Sequence, residues 1–254
     1  MKIASWNVNS IRVRLEHVLE WLHAESPDVL GLQELKMTTE DFPLEAFQEI
    51  GYQCLVNGQK TYNGVAFLSK TEGTDPVTDI PGFDDPQRRV IAATFGDTRV
   101  VNLYCPNGQA VGTDKYEYKL AWFAALRDWL EAEAKTHAKL AVFGDFNIAP
   151  DDRDVHDPAA WEGKILCSDA ERAALQALVD LGLEDSFRLF DQAEESFSWW
   201  DYRMAGFRRN RGLRIDLILA SADIVKTAKA AGIDKEPRAL ERPSDHAPVW
   251  LEFS

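Results

Sequence analysis

The sequence predicts an α/β protein made of two mixed β-sheets packed together, with helices outside. Two observations predict it. Strand-like apolar runs outnumber helical ones, and several neighbouring runs are close enough to form hairpins, which disfavours a purely parallel βαβ sheet. The 254 residues are 45% hydrophobic and include eight Trp, so a large core is affordable at about the upper size for one core. With no linker, low-complexity tract or internal repeat, the chain reads as a single domain, residues 1–254.

Strands are expected at 2–7, 28–33, 52–56, 64–69, 89–95, 99–105, 140–145, 197–200, 214–220 and 248–253. The runs 89–95 and 99–105 face each other across Gly96-Asp97 as a hairpin. Leu15, Val18, Leu19 and Leu22 have helical spacing after the first strand. Tyr116, Leu120, Phe123, Leu126 and Leu130 repeat that spacing in a longer helix. Ser168-Asp169-Ala170-Glu171 is a capping box, opening a helix through Leu175, Leu178 and Val179 that stops near Gly182.

The net charge of -14 argues against generic nucleic-acid binding but leaves room for a local basic strip. Cys54, Cys105 and Cys167 lie far apart without a C-x-x-C, which fits a reducing compartment and gives no disulfide or zinc framework. No leader pattern or membrane-length apolar run is visible, so a soluble cytoplasmic protein is expected.

Four apolar runs end in polar clusters suited to metal-assisted phosphate chemistry: Trp6-Asn7-Val8-Asn9, Leu32-Gln33-Glu34, Gly144-Asp145-Phe146-Asn147 and Ser244-Asp245-His246. Strand alternation puts Asp145 and Asn147 on one face, where a carboxylate moves a proton or orients water and an amide binds water or a phosphoryl oxygen. Alone, that motif reads equally as a turn after a strand. Glu34 at a strand end suits a hard cation such as Mg²⁺, or equally a solvated loop charge. Asp216 lies inside an apolar strand and needs a partner if buried, and His246 is a suitable one. Such a pair serves proton transfer or charge stabilisation, or is structural. Asp151-Asp152-Arg153-Asp154 and the residues after it lack the glycine of a calcium loop and read as a solvated acidic loop.

A basic strip does exist. Arg203, Arg208, Arg209, Arg211 and Arg214 are interleaved with Trp199, Trp200, Tyr202 and Phe207. Guanidinium groups hold phosphates and aromatics stack on bases; the other reading is a loop whose aromatics dip into the core. Arg12, Arg14, Lys36, Lys60, Arg88 and Arg89 also follow strand ends and would ring the same cleft.

Taken in order along the chain, these segments resemble the exonuclease III family of abasic-site endonucleases, within the DNase I-like phosphodiesterases. Tyr62-Asn63-Gly64-Val65-Ala66, Asn102-Leu103-Tyr104-Cys105-Pro106-Asn107-Gly108, Phe197-Ser198-Trp199-Trp200-Asp201-Tyr202-Arg203 and Asn210-Arg211-Gly212-Leu213-Arg214-Ile215-Asp216 extend the likeness over essentially the whole chain. The resemblance implies a four-layer α/β sandwich with a cleft at one end of two sheets. It implies that Glu34 is the main ligand of Mg²⁺ (Mn²⁺ substituting), helped by Asn7 and Asn9, with Asp145 and Asn147 also in the metal set and Asp245 near a second ion position. It implies that Asp145 and Asn147 activate or position water, and that Asp216 orients His246 at the scissile phosphate. Tyr104 and Asn107 would sit near that phosphate, Trp199 and Leu213 would line a pocket for an extruded abasic sugar, and Arg12 and Tyr62 would contact DNA. The implied activity is metal-dependent cleavage of duplex DNA 5′ to abasic sites, leaving a 3′-hydroxyl, with 3′-5′ trimming; the sequence carries no interface signal, and a monomer is expected. The 161–169 loop, near the expected cleft, would tilt the balance between the two. The rivals are a lipid or nucleotide phosphodiesterase, an exonuclease with weak abasic-site cleavage, and a non-catalytic binding protein. The last predicts missing site residues, whereas Glu34, Asp145, Asn147, Asp216 and His246 are all present.

Overall fold

The computed structural model describes residues 1–254. Two six-stranded mixed sheets lie face to face. In the first, the strand order is β13 (Ala228–Ile233), β14 (Val249–Phe253), β1 (Lys2–Asn7), β2 (Val29–Gln33), β4 (Val65–Ser69) and β3 (Gln53–Asn57). In the second it is β5 (Thr74–Thr78), β6 (Val90–Phe95), β7 (Thr98–Tyr104), β8 (Leu140–Asp145), β12 (Asp216–Ser221) and β9 (Leu183–Asp185). A two-stranded ribbon, β10 (Trp199–Trp200) with β11 (Gly212–Leu213), stands apart. The pairs β1–β2 and β7–β8 are parallel and the other pairs are antiparallel, including the expected hairpin β6–β7.

Three apolar layers make this a four-layer sandwich. Ile3, Val29, Phe67, Val100, Phe143, Ile218 and Leu251 fill the space between the sheets. Trp6, Leu30, Leu32 and Leu68 face the other way, against Val18 and Leu22 of α1 (Ile11–Glu25) and Phe47 of α2 (Leu44–Glu49). Leu140, Val142 and Leu217 pack on Trp122, Phe123 and Leu126 of α3 (Asp114–Thr136). The short α4 (Pro158–Trp161) precedes α5 (Asp169–Val179), which joins α3 in the outer layer; α6 (Ala222–Val225) is a single turn.

Strand parity carries this layering into the site. Ile3 faces between the sheets, so Ser5 and Asn7 do too. The same rule applied to Val29, Val100, Phe143 and Ile218 turns Gln33, Tyr104, Asp145 and Asp216 inward. Register brings them to one end, because Asn7 pairs with Gln33, Tyr104 with Asp145, and Asp145 with Asp216. Gly144 beside this end has φ 148°, and a Cβ there would lie 1.9 Å from the Leu103 carbonyl oxygen. Only glycine lets β8 approach β7 so closely.

The expected strands form, most with ends shifted by one residue and two of them by two. Only Trp199–Trp200 of 197–200 is extended, and the strand expected from 214 begins at Asp216. The strands β5, β9 and β13 were not expected, and each lies at a sheet edge. There β5 carries Pro76 and is largely exposed, while β13 is Ala-rich and half-buried, so neither has hydrophobic alternation. The capping box at Ser168–Glu171 is present, and Gly182 follows α5 with φ 90°.

Candidate active site

The loops after β1 and β2 are stitched together, because Val8, Ser10 and Ile11 donate their N–H groups to the carbonyls of Gln33, Glu34 and Leu35. Asn9, Ser10, Glu34 and Lys36 all have positive φ, a concentration of strain expected where geometry serves a site. Asn7 Nδ2 donates to Glu34 Oε1 at 3.0 Å and to Asp145 Oδ2 at 2.9 Å. One amide thus draws together two carboxylates from opposite sheets. Lys36 Nζ lies 3.1 Å from Glu34 Oε2.

His246, just before β14, is buried with Nδ1 2.9 Å from Asp216 Oδ2 and 3.1 Å from Oδ1. Its Nε2 is turned toward Asp145 Oδ2, 3.7 Å away. Ser198 Oγ donates to Asp216 Oδ2 at 2.6 Å and accepts the N–H groups of Ile215 and Asp216. Burial works against a charged His246, but Asp216, Asp145 and Asp245 outweigh it and push the imidazolium up to about 10. Burial raises the Asp145 carboxyl; His246 opposes this while Asp216 and Glu34 add to it, leaving it at about 7. Burial, Glu34 and Asp145 hold the Tyr104 phenol well above its ordinary value, so it stays a neutral donor.

Ligand atoms of Glu34, Asp145 and His246 lie within 4.8 Å of one another. With His246 kept protonated by Asp216, the donors left to a cation are the carboxylates of Glu34 and Asp145. Two converging carboxylates, with no thiolate and no free imidazole, fit a hard divalent cation that keeps several waters. Asn9 is committed elsewhere: its Nδ2 donates to Asp245 Oδ1 at 2.9 Å and its Oδ1 accepts from Lys36. Asp245 also accepts from Trp199 Nε1 at 3.0 Å, so it stands one step outside the carboxylate cluster. Burial opposes its charge, but His246, Trp199 and Asn9 hold the carboxyl below its usual value.

Three expectations need correction. Asn147 does not continue the alternation of Asp145, because β8 ends at Asp145 and Asn147 turns with φ 50°. Its N–H donates to Asp145 Oδ1 at 2.9 Å, its Nδ2 donates to the Cys105 carbonyl, and its Oδ1 accepts from Asn107 Nδ2 at 3.2 Å. The turn still delivers it to the cleft, beside Asn107. Arg214 is not part of a phosphate-binding strip: it is 1% exposed and pairs with Asp154 and Asp185 at 2.6 Å each. Nor is the acidic loop wholly solvated, since Asp154 is fully buried between Arg214 and Arg188.

Arg208, Arg209 and Arg211 remain exposed, while Trp200 belongs to the core with Phe197 and Ala247. Trp199 packs against Leu213, which is fully buried with Ala149, Val155, Leu166 and Cys167. Tyr62, Tyr104, Asn107, Arg89 and Lys115 line an open groove of about 660 Å³. Arg12, Lys36 and Lys60 line another of about 250 Å³. Sequence reasoning missed Ser198 as a support of Asp216, although its stretch was singled out. It also missed Lys119, which donates to the Asn147 carbonyl, and saw in its partner Glu171 only a helix cap.

Residues 4–246 match the Endonuclease/Exonuclease/phosphatase family. The chain belongs to that family. It is 40% identical to exodeoxyribonuclease III of Haemophilus influenzae, with both chains covered in full. Structures of one Neisseria enzyme, described as a 3′-5′ exonuclease and as a 3′ phosphatase bound to product DNA hairpin, superpose with TM-score 0.98 at 50% identity. They cover all of this chain, which in turn covers 100% and 99% of theirs respectively. An AP endonuclease from Archaeoglobus fulgidus superposes with TM-score 0.96 at 34% identity, covering 100% of this chain and 99% of its own. The cluster at Glu34 and Asp145 lies within the residues matched to the family. No helix is long and apolar enough to cross a membrane.

Proposed function

We propose that this chain is a DNA-repair phosphodiesterase that requires Mg²⁺, with Mn²⁺ able to replace it. It cleaves duplex DNA 5′ to abasic sites to leave a 3′-hydroxyl and trims 3′ ends in the 3′-5′ direction. The observation that carries this reading is the meeting of Glu34, Asp145 and the Asp216–His246 pair at one end of the intersheet layer. The exodeoxyribonuclease and AP endonuclease relatives supply the substrate class. One catalytic domain spans residues 1–254 and acts as a monomer; three free cysteines accord with a cytoplasmic setting.

Glu34 and Asp145 would hold the cation, with Asn7 keeping the two carboxylates together and Asn9 tying Asp245 to the same loop. When bound, the metal neutralises charge on the phosphate and on the leaving 3′ oxygen. His246, charged and held by Asp216, donates from Nε2 to a non-bridging phosphoryl oxygen. Asn147 and Asn107 present amides to the attacking water and to the phosphate. Asp145, 3.7 Å from His246 Nε2, accepts the proton of that water. The neutral Tyr104 hydroxyl donates to the phosphate. Arg12 and Tyr62, in separate grooves, hold the flanking DNA. Trp199, half-buried and backed by the buried Leu213, would form the wall against which a sugar without a base is held.

A second reading has support of its own. The Neisseria 3′ exonuclease and 3′ phosphatase is 50% identical, and Leu213 is packed away with Leu166 and Cys167. A covered pocket wall favours 3′-end trimming with weak abasic cleavage. Labelled duplexes carrying one abasic site, a 3′-phosphate or a plain recessed 3′ end, with and without Mg²⁺, decide between them. The first reading expects incision 5′ to the abasic site at a rate at least comparable to 3′ trimming. Trimming alone would replace it with the second, and no cleavage of any DNA would remove both.

A further inference from the structure

A buried ion pair lies directly beneath the cleft. Lys119 of α3 and Glu171 of α5 are both completely buried, with Nζ 2.5 Å from Oε1. The ammonium also donates to the Asn147 carbonyl at 2.6 Å and to the Asn107 carbonyl at 3.2 Å. These are the two residues whose side chains join in the cleft through Asn107 Nδ2 and Asn147 Oδ1. The left-handed turn at Asn147 accompanies a backbone carbonyl directed inward, onto Lys119.

Glu171 does two further things. Its Oε1 accepts the Leu166 N–H at 3.0 Å, and its Oε2 accepts the N–H and hydroxyl of Ser168 at 3.1 and 2.6 Å. Tyr116 Oη shares that hydroxyl at 2.7 Å. The Leu166 carbonyl then accepts the Ala149 N–H, closing a loop back to the segment that carries Asn147. The surroundings leave little slack, since a Cβ on Gly108 would come within 3.0 Å of Lys119 Cδ. Burying both ions is costly, and a core of the same volume needs neither. The pair supplies what apolar side chains cannot, a donor to the Asn147 and Asn107 carbonyls and an acceptor for the Leu166 N–H.

We propose that Lys119 and Glu171 are positioning residues for the reaction: Lys119 fixes the two cleft asparagines from behind, and Glu171 locks Lys119 to the 166–168 segment. Asn147 and Asn107 are thereby held by charge-assisted bonds to rigid helices rather than by loop conformation alone. The pair touches no substrate. It also links the wall formed by Leu166, Cys167 and Leu213 to the asparagines.

The test compares wild type, Lys119→Met/Glu171→Gln and Glu171→Gln, each with Mg²⁺ and the DNA that wild type cleaves. The double variant removes both charges together and keeps one acceptor, the amide oxygen, for the Ser168 N–H at the helix cap. Its kcat should fall at least tenfold, with KM, Mn²⁺ affinity and far-UV spectrum unchanged at a temperature where it is folded. Glu171→Gln should lose less. A mere packing role predicts kcat within twofold of wild type, or a loss that tracks the unfolded fraction and Mn²⁺ affinity together; either result overturns the proposal. If the double variant does not fold, Glu171→Gln carries the decision, with a threefold loss of kcat at constant KM expected and no loss refuting. The inference rests on Asn147 serving the proposed cleavage, and wild type failing to cleave DNA would indict that reading instead.

Discussion

Replacing Asp216 with Asn tests the electrostatic core of the site. In the native arrangement His246 rises from an ordinary 6.5 to about 10, which corresponds to about 5 kcal/mol in favour of the imidazolium. Because the folded value is raised, this stabilisation is complete below pH 6.5 and is lost as pH climbs toward about 10. Asp216 is the largest of the carboxylates that oppose burial. Without it, only Asp145 and Asp245 oppose burial, and His246 should titrate near its ordinary value. At pH 7.5 roughly a tenth or less of the protein would carry the charge, so turnover should fall at least about tenfold and recover partly toward pH 6. The dependence of melting temperature on pH between 6.5 and 10 should flatten. The assay is the His Cε1–H titration by NMR, with kcat measured over the same range. His246→Asn should cost at least as much, and the double variant far less than the product of the two losses. A His246 that still titrates near 10 in Asp216→Asn, or multiplicative losses, would refute the reasoning.

Three further outcomes follow from the surroundings of the site. Replacing Arg208, Arg209 and Arg211 together with Ala should weaken binding to all duplexes and reduce the log–log salt slope by up to about 2.7; an unchanged slope would place the DNA elsewhere. Arg214→Met should leave that slope alone but lower stability by about 3–5 kcal/mol in denaturant unfolding, because Asp154 and Asp185 lose their buried partner. Trp199→Ala should reduce abasic-site cleavage about tenfold more than digestion of a plain 3′ end, since the pocket acts only on an extruded sugar. Equal losses with a lowered melting temperature would make Trp199 a packing residue.

The main strands were legible because buried strands leave apolar runs, and parity along those runs turned Asp145 and Asp216 inward with Phe143 and Ile218. Two of the edge strands left no such trace: β5 is largely exposed and carries Pro76, and β13 is Ala-rich and half-buried. Glu34, Asp145, Asp216 and His246 were readable as polar interruptions of strands and meet in space. Asn147 was placed on the right cleft by the wrong geometry, since a left-handed turn cannot be told from continued alternation by composition. Arg214 was lost among its exposed neighbours, because charge alone does not say that Asp154 and Asp185 wait inside. Lys119 had a usable signal. It lies three residues after Tyr116 and four before Phe123, on the stripe that α3 buries, whereas Leu120 is only half-buried. A lysine on an apolar stripe requires a buried acid.

The central claim is that Glu34 and Asp145 assemble a metal site that drives cleavage of DNA. Single-turnover cleavage of an abasic duplex, titrated with Mg²⁺ after exhaustive chelation, tests it most directly in wild type and Glu34→Gln. Wild type should be inactive without metal while remaining folded, and Glu34→Gln should need at least about tenfold more Mg²⁺ for half-maximal rate with unchanged DNA affinity. Full activity of the chelated wild type, or an identical Mg²⁺ requirement in both proteins, would contradict the account.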